Sequence, residues 1–93
     1  MKKEEMIKVI KEQGFEKQSE KNGLEVFSKE MNGIKISVDV LCNDRVFFAI
    51  MKNHKVVDQS RFFDFKNNTK EQMQRLLKHI DNMMWVYSRV FNK

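Results

Sequence analysis

The side chains able to hold a metal or act as nucleophiles are few in this sequence, and their spacing does not suit chemistry. The two histidines, His54 and His79, match neither the HxxxH nor the HExxH spacing that sets two imidazoles on one helix face. Cys42 is the single cysteine. It has no second thiol for a disulfide and too few companions for a multi-cysteine zinc site. A thiol nucleophile needs a base placed beside it. No spacing supplies one, and Cys42 reads as a small residue at the end of a strand. The five aspartates, Asp39, Asp44, Asp58, Asp64 and Asp81, are scattered over different segments, whereas paired-carboxylate catalysis needs two at a defined separation. The three glycines stand too far apart to cradle a phosphate, and no serine elbow is present. The expectation is a protein without enzymatic activity, metal or cofactor.

Binding chemistry is the better prospect. At about 100° per residue, Arg75, Lys78, Asn82, Trp85 and Arg89 fall within about 80° of one another on one side of a helix. Met73, Leu76, Leu77, Ile80, Met83, Met84, Tyr87, Val90 and Phe91 fill the opposite arc, which is the expected core face. Tryptophan and arginine are the commonest residues to carry protein-interface energy. The same group would also stack a nucleobase and neutralise phosphates. These five residues are therefore the candidate partner-binding site. A protein partner is the first expectation, a second copy of the chain is one form of it, and nucleic acid bound through basic residues 45–93 is the alternative.

The charge distribution points to the same part of the chain. Residues 1–31 hold seven lysines and seven glutamates, whereas residues 32–93 hold eleven Lys and Arg against six Asp and Glu. The whole excess of +5 thus lies in the second part, where it favours an acidic surface or phosphates.

The elements that must position this face follow from periodicity and turn chemistry. Met6, Ile7, Val9 and Ile10 recur at helical spacing, giving a helix over residues 3–13 that Gly14 ends. Leu24–Met31 and Ile34–Leu41 flank Asn32-Gly33, a type I′ hairpin signal. A two-residue loop makes paired positions sum to 65, so that Glu30 faces Lys35 and Phe27 faces Val38. Before this hairpin lies a weaker strand, Phe15–Glu20. A three-residue loop, Lys21-Asn22-Gly23, is expected to follow it, because a two-residue loop would set Glu20 against Glu25. Val46–Lys52 is nearly all apolar and reads as a strand covered on both faces. Val56–Phe65 reads as a fifth strand. Thr69-Lys70-Glu71-Gln72 matches a capping box and opens a helix running to about Val90.

The expected fold is α+β over residues 1–93 as one domain: an N-terminal helix, an antiparallel meander of four to five strands, and a long C-terminal helix packed on the sheet. Apolar residues fall on both faces of that sheet, so either the helices divide between the faces or one face meets a partner. No apolar run approaches the length of about 20 residues that spans a bilayer, and no signal-peptide core follows Met1. A cytoplasmic location is expected. Small, proline-free, Lys- and Asn-rich composition is common among accessory proteins of phages and mobile elements, anti-defence inhibitors included. The first functional expectation is thus a small interaction module that regulates or inhibits a larger bacterial machine.

Overall fold

A computed structural model describes the backbone of residues 1–91 and the side chains of residues 1–90. Helix α1, Lys3–Glu12, carries Glu4 and Glu5 in its first turn, where the helix dipole favours acids. It closes in a Schellman arrangement. The Gly14 N–H donates to the Lys11 carbonyl at 3.0 Å and the Phe15 N–H to the Ile10 carbonyl at 3.4 Å. Gly14 has φ +91°, in the left-handed region that favours glycine.

Strands β1 (Glu16–Lys21), β2 (Leu24–Met31), β3 (Ile34–Val40), β4 (Arg45–Lys52) and β5 (Lys55–Gln59) follow as an antiparallel meander, each beside its predecessor. The short β6 (Phe63–Asp64) pairs with the start of β4. Helix α2, Lys70–Phe91, ends the described chain. The capping box at its start is fully formed: the Gln72 N–H donates to Thr69 Oγ1 at 3.2 Å, and the Thr69 N–H donates to Gln72 Oε1 at 2.8 Å. The β2–β3 register is the one expected, with Glu30 opposite Lys35 and Phe27 opposite Val38. Asn32 and Gly33 both have positive φ, as a type I′ turn demands.

Both helices pack on one face of the sheet. Phe27, Ile34, Ile36, Val38, Val40, Val46, Phe48 and Ile50 from the strands meet Met6, Val9 and Ile10 of α1 and Met73, Leu77, Ile80 and Met84 of α2 in one buried cluster. Helix α2 lies across β2 and β3 with α1 beside it. Lys29 ties the layers together: its Nζ donates to the Gln13 carbonyl at the end of α1 (3.0 Å) and to Asp81 Oδ1 on α2 (2.8 Å).

Four expectations are corrected. The β1–β2 loop has two residues, not three, and Glu20 does oppose Glu25. Asn22 (φ +53°) and Gly23 (φ +81°) make the tight turn, and two lysines neutralise Glu25. Lys17 lies 2.9 Å and Lys3 3.0 Å from its carboxylate, and Lys17 also pairs with Glu20. A register shift between Lys17 and Ser19 accompanies this pairing. Strand β4 is covered on one face only: Val46, Phe48 and Ile50 are buried while Phe47, Ala49 and Met51 are half-buried. The expected fifth strand breaks at Ser60, whose Oγ accepts the Phe48 N–H at 2.9 Å and whose own N–H donates to the Phe48 carbonyl. The chain then resumes as β6. Finally, Val90, assigned to the core arc, is 58 % exposed. The Phe91 side chain of that arc lies outside the described residues.

Candidate functional site

Helix α2 turns its buried stripe to β2, β3 and α1, and everything opposite that stripe faces outward. Arg75, Lys78, Asn82, Trp85 and Arg89 are all exposed. From Arg75 to Arg89 they cover about 21 Å of helix at 1.5 Å per residue. Trp85 is 52 % exposed, so its indole is not part of the domain core. None of Arg75, Lys78 and Arg89 forms an ion pair with a described residue.

Two residues enlarge this face beyond the expected five. Val86 is 60 % exposed and lies about 20° from Arg75 on the helical wheel. Val90 lies about 60° from Arg75, at the boundary of the core arc. The signal for Val86 was present in the angular arithmetic, which sets an apolar residue about 20° beyond the Arg75 edge of the polar stripe. Val90 was assigned inward because its angle borders the core. The outer face of α2 so described spans about 140°, from Trp85 at one margin to Val90 at the other, with the three cations and Val86 between.

Two other regions were candidates. Between α2 and the β4–β5 side of the sheet lies a cavity of about 180 Å³, walled by Phe48, Ile50, Phe63, Leu76, Ile80 and Met83, with Asp58 and His79 also lining it. The Tyr87 hydroxyl donates to Asp58 Oδ2 at 3.0 Å. That bond, with partial burial and the aspartate charge, raises the phenol pKa above its usual range. The sheet face away from the helices carries Val26, Asp39 and Phe47 in one cross-strand row. The Phe62 ring lies 5.1 Å from that of Phe47, centroid to centroid. Burial pushes the Asp39 carboxyl up, against a hydrogen bond donated by the Ser37 hydroxyl at 3.2 Å.

His54 sits in the β4–β5 turn and His79 on α2, and Cys42 is exposed after β3. Among the described residues no three His, Cys, Asp or Glu side chains cluster as metal ligands would. No described helix is long and apolar enough to cross a membrane. No protein-family model, no curated protein and no solved structure matches the chain.

Proposed function

We propose that this protein works by binding rather than by catalysis, as a small regulatory or inhibitory module that docks the outer face of α2 on an acidic protein surface. The observation that carries this reading is Trp85, half exposed on a well-anchored helix among the cations Arg75, Lys78 and Arg89. Indole and guanidinium groups dominate interface energy because they desolvate large areas at little entropic cost. Val86 adds apolar surface next to Arg75 on the helical wheel, and the positive charge selects an acidic partner and steers its approach. The sheet and α1 hold the opposite side of the helix, so the face is presented without folding on binding.

Titration of the 15N-labelled protein with an acidic, leucine- and phenylalanine-containing peptide tests this reading. The expected shifts fall on residues 75–90, and Trp85→Ala abolishes them while leaving the melting temperature nearly unchanged. Surface substitutions of this kind change stability by about 0.5 kcal/mol or less. A single-stranded oligonucleotide serves as the competing probe at two salt concentrations. Saturable oligonucleotide binding with a slope of about −2 in log K against log salt, and none to the peptide, would replace the protein-binding reading with a nucleic-acid one.

A further inference from the structure

The cavity between α2 and the β4–β5 side of the sheet follows from where the helix lies. Helix α2 packs mainly on β3, β2 and α1, and β5 brings little apolar surface to fill the space beyond. Its Asp58 lies opposite the buried Ile50, and opposed residues share one side of a sheet. A carboxylate therefore stands on the helix side there. The chain then breaks at Ser60, which also lines the space. A void of about 180 Å³ remains, whereas close-packed interiors hold few gaps larger than a water molecule.

Its walls are apolar and partly aromatic. Phe48, Ile50 and Ile80 are buried, Phe63 and Met83 are half-buried, and His79 is exposed at the mouth. An apolar cavity of about 150 Å³ is enough to stay dry and hold one benzene ring, whereas drug-sized ligands need about 300 Å³ or more. The walls favour a ring over an alkyl chain. Phe48 and Phe63 meet edge to face with centroids 6.0 Å apart, and a methionine thioether is a good neighbour for a further ring.

Asp58 sets the polar requirement. Its Oδ1 accepts the Gln59 N–H at 2.8 Å and its Oδ2 the Tyr87 hydroxyl at 3.0 Å. These bonds hold the carboxylate in place, and a carboxylate has room for about four donors. It forms no ion pair with a described residue. The carboxylate repels an anion, and the net charge of +5 disfavours a cation. A neutral hydrogen-bond donor suits the site.

We propose that this cavity binds a free, neutral, single-ring phenol, its ring between α2 and β4 and its hydroxyl donating to Asp58. Leu76 and Met83, which line the cavity, lie about 160° or more from Trp85 on the helical wheel. The site is thus separate from the outer face of α2, and neither reading depends on the other. A ligand of about eight non-hydrogen atoms should bind with a Kd on the order of 1 mM.

Titration of the 15N- and 13C-methyl-labelled protein with p-cresol to about 10 mM is the test. Saturable shifts should fall on Ile50, Leu76 and Ile80. Toluene, which has no donor, should bind about tenfold more weakly, and benzoate should not bind. Leu76→Phe narrows the cavity and should abolish the p-cresol shifts. If circular dichroism shows that this variant does not fold, Met83→Phe takes its place. Trp85→Ala should bind p-cresol as the wild type does, which keeps this result apart from that for the α2 face. N-Acetyltyrosinamide carries the same ring on a backbone for which the cavity has no room, and should bind more weakly. Tighter binding than p-cresol would assign the cavity to a partner's side chain and overturn the proposal. So would toluene binding as tightly as p-cresol, p-cresol binding indifferent to the cavity-filling variant, or no saturable shift at all.

Discussion

At the scale of single residues, the charge with the most partners, Glu25, is structural. Glu25 is buried on the helix side of β2, and burial alone would push its carboxyl up. Hydrogen bonds from Lys17 and Lys3, with their charges, outweigh that effect and hold it below the usual carboxylate range. A carboxyl depressed in the folded state stabilises it above the unfolded pKa, about 4.3 for glutamate. That contribution is lost as the pH falls through the folded value. Glu25→Gln is therefore expected to lower stability at pH 7 by about 1 kcal/mol, a modest figure because both lysines are partly exposed to water. The gap to wild type should close below about pH 4. Urea titrations between pH 7 and pH 3 measure it, and a gap independent of pH would show that packing, not charge, sets the cost. The Glu20–Glu25 opposition was visible in the sequence and argued against the tight turn. What the sequence hid was Lys3, which reaches this pair from a helix more than a dozen residues upstream.

At the scale of elements, legibility followed the range of the forces. The capping box, the Asn-Gly turn and the glycine stop of α1 are decided by neighbours in sequence, and each appears where local chemistry puts it. The break in the fifth strand depends on the Ser60 hydroxyl meeting the Phe48 backbone twelve positions away, which no local pattern announces. Coverage of β4 on one face alone depends on where α2 lands. The β4–β5 hairpin is a further case. Its turn residues Asn53 and His54 both have positive φ, +52° and +66°, so a type I′ turn is made without glycine. A histidine in that region carries a steric cost of about 1 kcal/mol. His54→Gly is expected to stabilise the protein, by up to about 0.5 kcal/mol once the added freedom of the unfolded chain is subtracted. Thermal melts at neutral pH show whether the transition rises, and a lower transition would mean that the imidazole makes a contact worth more than the relieved strain.

At the scale of the whole molecule, one sheet face holds both helices while the other carries Val26, Phe47 and Met51 half-buried. The Cα radius of gyration is 12.8 Å, close to the value of about 12 Å expected for a compact chain of this length. The positive excess is spent mainly outside the core, on α2 and the turns, while the acids of the first part are drawn into pairs such as Lys3–Glu25. The unbroken meander has a consequence in time. Every strand from β1 to β5 pairs with the one just made, so its contacts are local and close quickly, single hairpins in about 1–10 µs. Helix α2 meets β2, β3 and α1 only across chain segments of roughly thirty residues or more, whose closure entropy is met late. Folding should therefore zip along the hairpins first and seat α2 last. Gly33→Ala, at φ +81°, should slow folding, because the β2–β3 turn belongs to the early nucleus. Leu77→Ala, from a fully buried site, should cost about 2–5 kcal/mol and act chiefly by speeding unfolding. Stopped-flow chevrons of the two variants decide the order. If Leu77→Ala slows refolding in proportion to its loss of stability, α2 is part of the nucleus and the sheet does not form without it.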